Sequence, residues 1–237
     1  MERPGIFISI WRWVLATMAT TVVLGIATIV CIFSRHFAFS ISRLWAKVVL
    51  KIFKIEIKII DENQGNYSSV SNLYVTLNQT TILETVFGPY AFPTDFAVIV
   101  NWEFAIVPII GWLNALLGGT LIIRQWPEQA RNSMNKAANK LSRINLWMSV
   151  EGQRSPDGNI CAYKKGVALL AISSGATIIP IFYKGARERL PYGEWRVRPG
   201  VVEMKFLESF NAKGMTFEDR EKLVNQLRAI AERESKK

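Results

Sequence analysis

The sequence predicts an α/β fold: a mostly parallel sheet flanked by helices, preceded by an N-terminal membrane helix and an amphipathic helix. Three observations predict it. About twenty residues without a charge run from Val14 to Phe33. Basic residues then recur three or four apart between Phe37 and Phe53. Beyond residue 55, short apolar strand-like runs alternate with helix-length segments, the pattern of βαβ units around a two-faced sheet.

The first run, VLATMATTVVLGIATIVCIF, rises ~1.5 Å per residue as a helix and so covers a hydrocarbon core of about 30 Å. Trp11 and Trp13 precede it, as in an interfacial aromatic belt. A signal peptide would have a shorter apolar core and a small-residue cleavage site. SRHFAFS follows instead, so a retained anchor is expected. In the next segment Arg43, Lys47, Lys51 and Lys54 share a helical face, with Ile41, Leu44, Trp45, Val48, Val49 and Ile52 on the others. That suits a helix lying in an anionic membrane surface, or one packed on the domain.

IEIKII alternates like a strand, and DENQGNYSS reads as a loop. LYVTL, FAVIV, GTLII, LWMSV and ATIIPIFY are the further strand candidates. From Phe217 an amphipathic terminal helix is expected, with Thr216 as N-cap and Asp219 three residues later. The expected division is therefore 1–54, anchor and interfacial helix, and 55–237, the α/β domain.

Lys and Arg outnumber Asp and Glu by 29 to 19, a formal net charge of +10 that attracts phosphate. Half of the 237 residues are hydrophobic, which favours lipid over nucleic acid as the source of that phosphate. The tryptophans lie in apolar runs and at membrane boundaries rather than between basic residues, so no nucleic-acid partner is expected. Cys31 and Cys161 are far apart and give neither a disulfide framework nor a metal-ligand spacing. His36 is the only histidine, which rules out a site needing two. One convincing apolar span argues against a transporter or channel.

The chemistry concentrates in EGQRSPDGNICAYKKGVALLAISSGATIIPI, residues 151–181. Arg154 and Lys164 flank a glycine-containing turn after a strand, where backbone N–H groups and two cations can converge on a phosphate. Glu151 is placed to orient Arg154 or to receive a substrate hydroxyl. The plain reading is a surface ion pair and two turn glycines.

This segment resembles the third and fourth blocks of the 1-acylglycerol-3-phosphate acyltransferase family: E-G-T-R-S, two residues, Gly, then F-K-x-G, a helix, and a strand ending in proline. Glu151, Gly152, Arg154, Ser155, Gly158, Tyr163 (for Phe), Lys164, Gly166, Ala171, Gly175, Pro180 and Ile181 fall in register. Upstream, NWEFAIVPIIGWLNALLGGTLIIRQ is similar to the family's second block at Glu103, Pro108, Gly111 and Gly119. Gln125 stands where the family has Arg, with Arg124 one step earlier. The resemblance covers roughly residues 45–210 and implies a glycerolipid-acyltransferase-like fold behind a membrane-associated helical region.

The family's first block, N-H-x-S-x-x-D, uses its His to deprotonate the acceptor hydroxyl and its Asp to fix that His. Here the residues are Asn78-Gln79-Thr80-Thr81-Ile82-Leu83-Glu84. Aligning Asn on Asn sets Gln79 at the His and Glu84 at the Asp. The other register puts Asn78 at the His position and leaves Leu83 for the acid, so the first preserves more of the chemistry. An amide takes no proton near neutral pH, and a positioned base is worth about 10²–10⁴ in rate. Glu84, the acceptor's own phosphate, or His36 folding back are the substitutes, with Glu84 favoured.

The resemblance thus implies Asn78, Gln79 and Glu84 at the catalytic position, and Arg124, Glu151, Gly152, Arg154, Ser155 and Lys164 around the substrate. It implies acyl transfer from acyl-CoA or acyl carrier protein (acyl-ACP) to a lysophospholipid at the membrane, with no bound cofactor and no metal. The abundance of Lys and Arg after residue 34 puts the catalytic domain on the cytoplasmic face. The alternative is a catalytically impaired relative that binds lysolipid or partners another acyltransferase.

Overall fold

The computed structural model describes residues 3–123 and 125–237. The chain opens with an apolar helical rod from Ile6 to Cys31, 26 residues long. It comprises α1 (Ile6–Ala19), a π-helical turn (Thr20–Leu24) and α2 (Gly25–Cys31). No charge and no proline interrupts it beyond Arg12, and the apolar pattern extends the helix eight residues before the expected Val14. Ser34 then caps α3 (Arg35–Phe53), accepting from the Phe37 N–H at 3.4 Å. Lys54, in the left-handed region at φ 55°, ends it.

α3 turns Ala38, Phe39, Ser42, Trp45, Ala46, Val49, Leu50 and Phe53 inward, at helical spacing. It packs on α2 and on the domain, as the second of the two sequence readings has it. The rod is pinned along its length. Arg3 pairs with Glu194 at 3.0 Å, and the Trp13 indole N–H donates to Trp195 O at 2.6 Å. At the π-turn, Thr20 Oγ1 accepts from the Trp45 indole at 2.9 Å. Phe7, Trp11, Met18, Val22, Ile29 and Phe33 remain exposed on the outer side.

Next come β1 (Ile55–Asp61), β2 (Asn72–Thr76), α4 (Glu84–Ala91) and β3 (Phe96–Asn101). A 3₁₀ turn (Trp102–Ile106) leads into α5 (Ile110–Leu116), where a Cβ on Gly111 would lie 2.5 Å from Phe104 O. β4 (Thr120–Ile122), α6 (Pro127–Leu141), β5 (Asn145–Ser149), α7 (Gly166–Ser174) and β6 (Thr177–Lys184) follow. The chain closes with α8 (Ala186–Arg189), β7 (Gly200–Phe206), β8 (Phe210–Asn211) and α9 (Arg220–Ser235). The expected capping box is present: Thr216 and Asp219 satisfy each other's backbone ahead of α9.

Among the described residues the strands form one sheet in the order β1-β7-β6-β2-β5-β3-β4, with β8 paired to β6. It is parallel except where β7 and β8 run against β6. The central strands pack on both faces. In β2, Tyr74 joins the layer beneath α3 and α4, while Leu73 and Val75 join the layer beneath α6, α7 and α9. The aromatic cluster under α3 and α4 includes Tyr74 and Phe92 with rings 4.4 Å apart.

One amide stitches the amino ends of three strands. Asn145 accepts from the Asn72 N–H at 3.0 Å and donates to Ser69 O, Thr94 Oγ1 and Asp95 O, each at 2.9 Å. It is 1% exposed, so its loss strands several buried groups. Asn145→Ala is therefore expected to lower stability by ~3 kcal/mol or more in urea unfolding of the detergent-solubilised protein. A loss under ~1 kcal/mol contradicts this.

Candidate active site

In open α/β sheets, ligands gather at the carboxyl ends of the strands. Here those of β2, β5 and β6 converge. Beyond Thr76, the Leu77 N–H donates to Ile181 O, extending the β2–β6 ladder. Asn78 continues it with its side chain: Nδ2 donates to Tyr183 O at 2.7 Å, and Oδ1 accepts from the Tyr183 N–H at 2.9 Å. Its amide acts as one more rung. Asn78, expected in the catalytic set, is thus held rigidly between β2 and β6.

Gln79 is half-buried and held by its backbone. Its N–H donates to Glu151 Oε2 at 2.7 Å, and its carbonyl accepts from the Ser155 N–H at 2.7 Å. Glu84 begins α4. Its Oε1 accepts from the Thr80 and Thr81 N–H groups at 2.8 and 3.1 Å, closing the loop on the helix N-terminus. Oε2 is buried without a hydrogen-bond partner, and the residue is 1% exposed. Burial pushes the Glu84 carboxyl up to about 8. The two N–H donors and Arg154 oppose that shift, and Glu151 adds to it.

Glu151 is fully buried and spends both oxygens on backbone: Oε2 on Gln79, and Oε1 on the Cys161 N–H at 2.6 Å. Burial pushes it up to about 7 against those donors and the Arg228 charge. Among the described residues it makes no ion pair with Arg154, and each of its oxygens already accepts one backbone N–H. Ser155 is likewise internal, donating from Oγ to Asp157 Oδ1 at 3.0 Å and accepting from the Gly158 N–H at 2.9 Å. Both hold the frame of the loop after β5. Gly152 takes φ 67°, which lets the loop turn out of β5.

Arg154 stays half-buried with its guanidinium 4.9 Å over the Tyr192 ring. No carboxylate among the described residues lies within ion-pair distance of it. Lys164 is exposed, its N–H anchored to Val150 O at 2.8 Å. Arg124 lies outside the described residues. His36 is at the other end of the sheet, bound through Nδ1 to Asp95 just ahead of β3 at 2.8 Å, so it does not fold back over Gln79. Glu103 is exposed and accepts from the Asn101 side chain.

Sequence reasoning missed two aromatic partners: Tyr192 beneath Arg154, and Tyr163, whose hydroxyl donates to Leu77 O at 2.7 Å. Tyr163 matched a family Phe, so only its ring was legible. Among the described residues, no group of three or more His, Cys, Asp or Glu is arranged to hold a metal.

Residues 75–184 match the family model described as Acyltransferase. The chain is 27% identical over 185 residues to the 1-acyl-sn-glycerol-3-phosphate acyltransferase of Limnanthes douglasii, covering 77% of this chain and 64% of that protein. A similar match to the enzyme of that name from Pseudomonas aeruginosa is 22% identical over 173 residues, covering 72% and 65%. This chain thus spans a little under two thirds of those relatives. The fold matches the crystal structure of the 1-acyl-sn-glycerophosphate (LPA) acyltransferase, PlsC, from Thermotoga maritima. The TM-score is 0.80 at 19% identity, covering 98% of this chain and 96% of that one.

The two raised carboxyls carry a stability signature. In the folded chain they keep protons that the unfolded chain releases near pH 4.3. Their contribution is complete below that pH and falls as pH rises toward about 7 for Glu151 and about 8 for Glu84. The slope is ~1.4 kcal/mol per pH unit for each retained proton. Glu84→Gln, neutral at every pH, is expected to flatten the decline in melting temperature between pH 5 and 8. Parallel wild-type and variant profiles would contradict the assignment.

Proposed function

We propose, from the match of residues 75–184 to the family model described as Acyltransferase, that the chain moves a fatty acyl group from an acyl thioester to a lysophospholipid hydroxyl. The donor is acyl-CoA or acyl-ACP, and the acceptor is of the 1-acylglycerol-3-phosphate kind. The acceptor oxygen bonds to the thioester carbonyl carbon, the carbon–sulfur bond breaks, and the thiol leaves with the proton.

One observation carries this reading. At the carboxyl ends of β2 and β5, a buried carboxyl with one unpartnered oxygen, Glu84, faces the same strand ends as an arginine with no counter-ion, Arg154. Arg154 suits the acceptor phosphate. Glu84, raised to about 8, suits proton removal near neutral pH, since a base works best with a pKa close to the working pH. Gln79 occupies the position that the resemblance gives to the family's His. Its amide serves as a hydrogen-bond donor on the reacting groups and takes no proton.

The outer apolar side of the rod and of α3 supports a membrane location. Because Arg3 and Trp13 tie the rod's first half to Glu194 and Trp195, its length lies against the domain while its exposed side meets lipid. The catalytic domain then sits on the cytoplasmic face, where both substrates' acyl chains reach it from the bilayer. A second reading rests on Glu84 being 1% exposed: a relative that binds lysolipid, or partners another acyltransferase, without turnover.

Acyl transfer from labelled thioesters by the detergent-solubilised protein separates the two. The acyltransferase reading predicts wild-type turnover that rises with pH toward 8, and a loss of about 10²-fold or more in Glu84→Gln. A silent wild type, with turnover appearing in Gln79→His, overturns it in favour of the binding reading.

A further inference from the structure

Arg187 stands beside this site and belongs to none of the motifs. It lies in α8, three residues beyond Lys184, the last residue of β6. Its side chain crosses the turn that carries Arg154. A Cβ on Gly158 would sit 2.6 Å from Arg187 Cδ and 2.8 Å from Nε, so the arginine stem packs directly on the glycine and a larger residue would displace it. Gly158 takes φ 89°, and its N–H is held by Ser155 Oγ at 2.9 Å. Ser155 in turn bonds Gln79 O through its own N–H at 2.7 Å. An unbroken set of contacts therefore joins Arg187 to the reacting end of β2.

Arg187 has no acceptor. Its Nε is buried without a hydrogen bond, and among the described residues its guanidinium makes no hydrogen bond or ion pair. The turn's Asp157 is already engaged: it takes Ser155 Oγ and the Asn159 N–H on Oδ1, and the Asn159 amide on Oδ2. A buried guanidinium N–H without an acceptor is destabilising, and an arriving anion removes that penalty. Arg154, on the same turn, also lacks a carboxylate partner and rests on Tyr192. A phosphate monoester carries about −1.5 to −2 near neutral pH, more than one arginine neutralises.

We propose that Arg187 and Arg154 together form a two-arginine clamp for a phosphate monoester, that of the lysophospholipid acceptor. The inference rests on the acceptor reading above. Arg154 supplies a cation braced on an aromatic ring. Arg187 supplies one whose stem is fixed by Gly158, and the glycine of the turn is there to seat it.

The test uses the full chain in detergent. Binding of 1-acylglycerol-3-phosphate and of phosphate-free 1-acylglycerol is measured by calorimetry for wild type, Arg187→Gln and Arg187→Lys. KM for acceptor and for acyl-CoA is measured in parallel wherever turnover is present. The expected result is a loss of about tenfold or more in affinity for the phosphate ligand in Arg187→Gln. Arg187→Lys should recover part of it, affinity for the phosphate-free ligand should not change, and acceptor KM should rise with kcat little altered. Unchanged phosphate binding in Arg187→Gln, while wild type prefers the phosphate ligand, overturns the clamp alone. A KM shift confined to acyl-CoA assigns the anion to the donor and also overturns it. A wild type that binds both lipids equally overturns the acceptor reading itself, and the clamp with it.

Discussion

The reacting end of the sheet hangs on a carboxylate that touches no substrate. Glu151, fully buried at the end of β5, takes the Gln79 N–H on one oxygen and the Cys161 N–H on the other. Those bonds join the loop after β2 to both ends of the loop after β5. Ser155 adds a third bond to Gln79 O. Clamped from both sides, Gln79 has little freedom in where its side chain emerges. The same tether fixes Arg154 and Gly158, and through Gly158 the stem of Arg187. A hydrogen bond to a charged group in a water-free setting is stronger than one at the surface, and losing one partner there is correspondingly costly.

Two carboxyls so close to each other are kept apart in role by their partners. Glu151 has an N–H donor on each oxygen, an arrangement that stabilises the ionised form. Glu84 has both its donors on one oxygen and nothing on the other, so burial dominates and the neutral form persists to about 8. Burial raises both carboxyls, Glu151 to about 7 and Glu84 to about 8, and the donor on each Glu151 oxygen keeps it the lower of the two. Where the resembled family has His and Asp, this frame has Gln79 and a Glu84 that is longer by one methylene and keeps one oxygen unpartnered.

Much of the sheet was legible because its inner strands are apolar on both faces: LYVTL, FAVIV, LWMSV and ATIIPIFY all became strands. β7 and β8 were not foreseen. GVVEMKF mixes apolar and charged residues behind Arg-Pro-Gly, and only its place between β1 and β6 makes it a strand. At the site, residue types were legible but roles were not. Glu151 and Arg154 read as partners by spacing, yet the carboxylate is claimed by two backbone N–H groups whose nearness arises from the fold. The ladder-like hydrogen bonds of Asn78 to Tyr183 could not be read from the sequence, because Tyr183 lies 105 residues away. Arg187 was invisible because α8 has four residues and no periodic pattern.

The proposed chemistry requires Glu84 to be a buried, neutral carboxyl at pH 7 that ionises within the working range. The most direct test is the infrared difference spectrum of wild type minus Glu84→Gln, followed from pH 5 to 10 in the carboxylic C=O stretch. A protonated-carboxyl band that persists at neutral pH and disappears around pH 8 is expected, matching the rise of its carboxyl to about 8. A difference spectrum with no protonated band above pH 6 would contradict it.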